Sequence, residues 1–223
     1  MKKLIILIFI LPSCFIFSQE RPGFYLLVGA SNSSLKTKAM TVKNDNIGYI
    51  VGIGATLGHH ERFSWQMELA YLDTPISLKA TDDKFYKYNF SNYQSGVYLT
   101  YNIQVPAEQR FYFGPQLGIN VDFGAFKNAS NEYSSDLIFA PEGIDEITLY
   151  NDTSKLNTNL IFGLNATFNK FKLNLRYTVG LTNVFDGVAT KNYTDSGAQV
   201  GNTLSEGKIN ALSLLLTYKL SRF

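Results

Sequence analysis

The chain carries one cysteine, two histidines and one tryptophan in 223 residues, and beyond its N-terminal segment it has no long apolar run. Each shortage excludes something. The one thiol, Cys14, lies in a segment that reads as removable, so the mature chain holds no disulfide and offers no thiolate chemistry. That suits passage through an oxidising compartment. No later stretch approaches the roughly 20 apolar residues that a membrane-spanning helix needs. Charge is scarce as well: 17% of residues are charged, against roughly 25% in soluble domains. The formal net charge is +2, and loss of Lys2 and Lys3 with the N-terminal segment takes it to 0. No electrostatic footprint for nucleic acid remains, so none is expected as a partner.

What the chain has in plenty is aromatic residues, with 17 Phe and 14 Tyr. Apolar residues make up 45%, which is ordinary. Such a chain is short of charge for a soluble domain, yet not oily enough for a bundle of membrane helices. If it enters a membrane, it must do so as strands.

Met1–Glu20 reads MKKLIILIFILPSCFIFSQE. Two lysines, a greasy run over Leu4–Leu11 and a small residue at Ser18 have the anatomy of a secretory signal peptide. Cleavage after Ser18 leaves 19–223 as one domain. A rival reading places a lipoprotein signal at Leu11-Pro12-Ser13-Cys14, with Cys14 lipidated.

The clearest pattern is in Arg110–Phe126, RFYFGPQLGINVDFGAF. Phe111, Phe113, Pro115, Leu117, Ile119, Val121 and Phe123 are all apolar. The interleaved Tyr112, Gly114, Gln116, Gly118, Asn120, Asp122 and Gly124 are polar or tiny. A period of two is a β-strand with one greasy face. Here that face is aromatic at both ends and aliphatic between, the order of a strand whose ends meet two membrane interfaces. Pro115 conflicts locally, because it has no N–H for a central strand. A bulge or a lost ladder bond is expected there.

Seven further stretches alternate in the same way: Gly23–Ser31, Ile47–Gly58, Arg62–Leu72, Asn89–Gln104, Asn157–Phe168, Phe171–Leu181 and Lys208–Leu220. In Gly23–Ser31 the alternation is blurred. The connections run long, short, long, short, long, short, long. The short ones are His59-His60-Glu61, Val105–Glu108 and the two-residue turn Asn169-Lys170. The long ones are Asn32–Asn46, the mixed segment Asp73–Tyr88, the Asn- and acid-rich segment Lys127–Leu156, and Thr182–Gly207. Nothing repeats as a solenoid. The pattern predicts an all-β fold, an eight-stranded antiparallel up-and-down transmembrane β-barrel with short periplasmic turns and long extracellular loops. The sheet must close, because lipid offers no partners to edge N–H and C=O groups. A soluble barrel would alternate too, with its apolar set inward and a charged outer face. The non-apolar set here is Gly, Asn, Gln, Thr and Ser, which fits a narrow lumen. The cell outer membrane is therefore the expected location, its lipid the first partner, and a monomeric barrel the expected state.

With Tyr112–Asp122, YFGPQLGINVD, its Gly114-Pro115 and Gly118 element, and the eight-strand layout, the chain resembles the PorT-like outer-membrane β-barrel family. The likeness spans about Gly23 to Phe223. It implies a fold and no catalytic residue, and for some members a part in assembling a secretion apparatus, so other envelope or secretion-system proteins are implied partners. Many outer-membrane barrels end in a lipid-facing aromatic. Phe223 is terminal but out of phase with Leu216, Tyr218 and Leu220, so either a bulge restores its phase or the signal is read more loosely.

Few side chains could carry chemistry. Glu68, Asp122, Lys172 and Arg176 fall on inferred lumen faces. Counted from the periplasmic end, Glu68 and Arg176 share a height and could meet. The four are read as a charge-paired structural plug or, against that, a gate. His59 and His60 are adjacent, point apart on a strand and make a poor metal pair. No histidine stands in the outer loops, which argues against a His-dependent lipase or acyltransferase. Asp136, Asp145 and Asp152 could in residue type serve an aspartic protease, and Glu142, Asp145, Glu146 and Asp152 could hold calcium weakly. Neither set has motif spacing, and a solvated acidic loop is the plainer reading. The expectation is a non-catalytic scaffold or binding protein without catalytic, metal or cofactor site, with a narrow porin-like channel as the alternative.

Overall fold

The computed structural model describes residues 23–37, 40–43, 47–60, 62–104, 111–128, 138–139, 144–145, 156–185, 189–193, 199–204 and 207–222. The signal segment, the Val105–Glu108 turn and Phe223 lie outside the described residues. Eight long strands form the body: β1 (Gly23–Thr37), β2 (Ile47–His60), β3 (Phe63–Lys79), β4 (Phe85–Tyr101), β5 (Phe111–Asn128), β6 (Leu156–Phe168), β7 (Phe171–Gly180) and β8 (Gly207–Arg222). Each pairs antiparallel with the next in the chain, and β8 returns to β1, so the sheet closes.

The register fixes the shape of the barrel. A line of paired residues leaves β1 at Phe24 and passes through Ala55, Met67, Val97, Ile119, Leu160, Val179 and Asn210. It comes back to β1 at Ser34, a shear of ten residues. Eight strands with that shear tilt by roughly 40° and enclose a lumen that side chains can fill.

The oily set faces out. Leu117, Leu164 and Leu214 are half-exposed or more, while Gln116, Asn165 and Asn174 are buried in the interior. Aromatics gather at two levels of the outer surface. One girdle holds Phe24, Phe63, Trp65, Phe113, Phe168, Phe171 and Tyr218, with Phe63 packed on Tyr101 at 5.0 Å and Phe171 on Tyr218 at 5.2 Å between ring centres. The other holds Tyr49, Tyr71, Tyr93 and Phe123, with ring centres 6.1 and 5.3 Å apart along the three tyrosines. From Phe63 to Tyr71 the tilted strand rises roughly 20 Å, close to the lipid-facing band of about 25 Å in such barrels.

Asp73–Tyr88 is not a loop. β3 runs on to Lys79 and β4 begins at Phe85, so the two strands stay paired from Phe63–Tyr101 to Lys79–Phe85. The pattern misleads because its polarity inverts without any change of register. Below Leu72 the outward residues of β3 are Phe63, Trp65, Met67, Leu69 and Tyr71. Above it they are Asp73, Pro75, Ser77 and Lys79, and the inward ones become Leu72, Ile76 and Leu78. On β4 the inversion falls at the same height, with Lys87, Asn89 and Ser91 outward and Tyr88 and Phe90 buried. Past the tyrosine girdle the outer face meets water, and the inside must supply the core. At the tip, Lys79 pairs with Asp83 at 2.7 Å. The Lys84 backbone N–H and the Tyr86 hydroxyl both donate to Asp82 and hold its carboxyl below the usual range.

Pro115 costs a stretch of ladder and no shift of register. The β4–β5 pairing stops at Thr100–Gln116 and resumes at Ile103–Phe113, in the short strand Ile103–Gln104. On its other side Pro115 stays in step with Leu164. The register does shift at Leu57 in β2 and at Leu220 in β8. The second shift lies where a phase correction for Phe223 would fall. The Asn169-Lys170 turn joins β6 and β7, and Asn169 has φ 55°. Asn tolerates that left-handed conformation and Ala does not. Asn169→Ala is expected to lower stability by about 1 kcal/mol and Asn169→Gly to leave it nearly unchanged, read from urea titrations followed by Trp65 fluorescence.

Candidate functional site

Alternation on β3 and β7 sends Glu68 and Arg176 inward from opposite sides of the lumen. They meet there: Arg176 Nη1 lies 2.5 Å from Glu68 Oε2, and Nη2 lies 2.7 Å from Oε1. Both side chains are buried. A two-toothed guanidinium–carboxylate pair of this kind fixes direction as well as distance. The remaining capacity of the pair is used. Tyr25 donates its hydroxyl to Glu68 Oε1 at 2.9 Å. Arg176 Nε donates to Gln116 Oε1 at 2.8 Å. The guanidinium carbon stands 4.2 Å from the centre of the Tyr98 ring, within cation–π range. Gln116 in turn donates to Thr100 and Gln66 at 3.2 and 3.3 Å. Lys172 reaches Gln66 Oε1 at 2.9 Å, and its direct partner is that amide, not a carboxylate.

Asp122 stands apart from this network, nearer the outer girdle. Its Oδ2 accepts from Asn159 Nδ2 at 2.7 Å, and the same Nδ2 also reaches Asn120 Oδ1 at 2.7 Å. Gln94 stands directly across from it on β4. Of the four charged lumen residues, the structure therefore joins Glu68 with Arg176, brings Lys172 to the edge of the same network, and leaves Asp122 among amides. Smaller contacts tie the rest of the wall, such as Ser31 with Ser213 at 2.9 Å and Asn174 with Thr217 at 3.2 Å.

Glycine makes the network possible. A Cβ on Gly54 would strike the Tyr25 ring, and one on Gly96 or Gly118 would strike Tyr98. Two tyrosines fit inside only because the wall behind them is bare. Beside the network, Leu27, Ile50, Leu72 and Leu215 form an apolar wedge. Between wedge and ion pair a cavity of about 20 Å³ remains, bordered by Glu68, Arg176, Tyr98, Asn120 and Ile161. That is room for about one water molecule.

Above the outer girdle the interior is oily. Leu35, Ile76, Leu78, Tyr88 and Phe90 from the strands close around Phe139, Val184 and Phe185 from the connections. Phe139 and Phe185 are fully buried. The Phe139 segment is tied to the β3–β4 tip, with Thr81 N–H donating to Ile138 O at 2.9 Å. Asn183 Oδ1 accepts from the N–H groups of Phe185 and Gly207 at 3.0 and 2.7 Å and holds Phe185 over the mouth. The lumen is thus filled twice, by polar groups within the membrane span and by an apolar cap above it.

Sequence reasoning named the four charges but not Tyr25, Tyr98, Gln66 or Gln116 as their partners. A signal was present for Tyr98, a lone aromatic on an inner face of Gly, Gln, Thr and Asn. The side chains of His59 and His60, and Asp136, Glu142, Glu146 and Asp152, lie outside the described residues, as does the side chain of Asp145. Among the described residues no three His, Cys, Asp or Glu side chains cluster to hold a metal.

The sequence profile of the outer membrane protein beta-barrel domain matches residues 17–186. No curated protein matches the chain in sequence. Among solved structures it is similar to Ail, the attachment invasion locus protein of Yersinia pestis, at TM-score 0.43 and 12% identity over 91% of this chain and 100% of that one. It is similar to the outer membrane protein OprG from Pseudomonas aeruginosa at TM-score 0.46 and 13% identity, over 91% and 98%. The outer membrane enzyme PagL aligns at TM-score 0.41 and 10% identity, over 87% and 99%.

Proposed function

We infer the role from one premise: this chain belongs to the outer membrane protein beta-barrel domain family and sits in the cell outer membrane as an eight-stranded barrel. We propose that it is a closed, non-catalytic barrel that works from its outer face. It is a scaffold or binding protein acting through its extracellular connections, with a secretion-system accessory role as the form that the PorT-like resemblance suggests. One observation carries this reading. The described residues occupy the lumen at the Glu68–Arg176 pair and again at the Phe139 and Phe185 cap, and the cavity beside the ion pair is about 20 Å³. Glu68, Asp122, Lys172 and Arg176 are then structural groups of the plug. No nucleophile–base pair is assembled in that lumen among the described residues, and a cofactor has no role in the proposal.

The purified mature chain in planar bilayers is expected to show no steady conductance. Steady openings abolished by a bulky lumen substitution such as Gly118→Trp would overturn the plug and favour a narrow channel for small solutes. Cross-linking in intact outer membranes, followed by purification of the chain, is expected to recover envelope proteins joined to its outer connections. Recovery of the unpartnered chain alone would remove the scaffold role.

A further inference from the structure

Leu35 of β1 and Ile209 of β8 stand directly opposite each other, and both pack into the apolar cap. Alternation then turns the next residue on each strand outward. Those residues are Lys36 and Lys208, and they too are directly opposite. Both are exposed. Like charges facing each other across a strand pair are destabilising, so the wall itself gains nothing from this arrangement. Neither strand carries an acidic residue. Among the described residues neither lysine has a carboxylate at salt-bridge distance, whereas Lys79 and Lys84 at the β3–β4 tip each have an aspartate.

The place is as informative as the pair. Leu212, opposite Tyr177 of β7, is the last apolar residue on the outer face of β8 before the extracellular end. Above it come Asn210 and then Lys208. On β1 the outer face passes through Asn32 and Ser34 to Lys36. From Leu212 to Lys208 the tilted strand rises roughly 10 Å. Two ammonium groups therefore emerge side by side where hydrocarbon has given way to headgroups, and their flexible stems let them bend toward the bilayer. Directly beneath, Leu212 and Leu214 on β8 and Val28 on β1 offer an exposed apolar wall to acyl chains.

We propose that the Lys36–Lys208 pair binds the phosphate of a lipid headgroup in the outer leaflet. A phosphomonoester carries about two negative charges, which matches two lysines. Lysine holds phosphate as a point charge and demands no fixed fork. The bound phosphate cancels the like-charge opposition that the strand pair otherwise bears. The lipid is held beside β1 and β8, the pair that closes the sheet. The site is independent of the scaffold role.

The test uses the full mature chain in neutral detergent at low, constant ionic strength, because exposed charges are screened by salt. It is titrated with phosphorylated lipid A, with the same lipid after dephosphorylation, and with inorganic phosphate. Native mass spectrometry counts the bound molecules. The phosphorylated lipid is expected to saturate at one high-affinity molecule per barrel. Lys36→Gln and Lys208→Gln should each weaken it about fivefold, and the double variant about 25-fold. Without lipid, the double variant should melt no lower than the wild type, since it relieves the opposed charges. Lys87→Gln, at an exposed lysine on β4 opposite Ser77, should leave the affinity unchanged. Equal binding of the dephosphorylated lipid would overturn the phosphate as the ligand, and equal affinity for inorganic phosphate would overturn the lipid. Unchanged affinity in the double variant, or an equal loss in Lys87→Gln, would overturn the pair as the site.

Discussion

Arg176→Ala is expected to lower the unfolding free energy of the barrel by about 3–5 kcal/mol, and Lys172→Ala by much less. The guanidinium makes two contacts with Glu68, one with Gln116, and lies against the Tyr98 ring. Removing it leaves Glu68 buried with Tyr25 as its one near donor among the described residues, and an uncompensated buried carboxylate is the costly outcome. Lys172 touches a neutral amide, so its loss strands no charge. The double replacement Glu68→Leu with Arg176→Leu is expected to recover a good part of the loss, because two apolar groups leave nothing unsatisfied. Urea titration of vesicle-embedded protein, followed by Trp65 fluorescence, measures all three. Equal losses for Arg176→Ala and Lys172→Ala would remove the ion pair from the centre of the fold.

The second large effect belongs to the outer surface. Leu117 lies on β5 between Phe113 and Phe123, half-exposed and flanked by Leu99 and Phe162. Both flanking residues also face outward, so the site is near the middle of the oily band. Leu117→Arg is expected to cost about 2–4 kcal/mol. Leu156 pairs with Phe123 of the outer girdle and is equally exposed. There an arginine can reach the headgroups, and Leu156→Arg is expected to cost about 0–1 kcal/mol. The contrast matters more than either value. A soluble barrel would tolerate both arginines alike, and equal small effects in vesicles would mean that hydrocarbon does not lie against β5.

Much of this was readable in the residues, and the rest has identifiable physical reasons for being hidden. The alternation over Phe111–Phe123 gave the strand, its two faces and the side that meets lipid, because one solvent change at each face leaves a period of two. β1 read as blurred because Tyr25 and Leu27 point inward, one to serve Glu68 and the other to join the luminal wedge. The upper halves of β3 and β4 read as a loop because the outer face passes from lipid to water at Asp73 and its partner Ser91. Alternation there continues with its sign reversed, and a pattern scored by one sign breaks at that point. The apolar cap was hidden for a different reason. Phe139 and Phe185 are single aromatics in polar connections, and only the closed barrel shows that they sit over its mouth. Glu68 and Arg176 stand 108 positions apart. Counting residues from a shared end brings them to one level, but the tyrosines and glutamines that complete the network carry no charge to draw attention to them.

The β3–β4 tip has a bearing on how the molecule is made. Lys79, Asp82, Asp83 and Lys84 lie beyond the outer girdle, so four ionic groups have to travel across the whole bilayer before the hairpin reaches its final position. Bare charges at the midplane are costly, and pairing them within the hairpin lightens the load on the way through. Once delivered, the same ions make retreat as unfavourable as entry. Drawing the tip back through hydrocarbon would carry the same charges past the midplane again, so the energetic cost that opposes its entry also opposes its return.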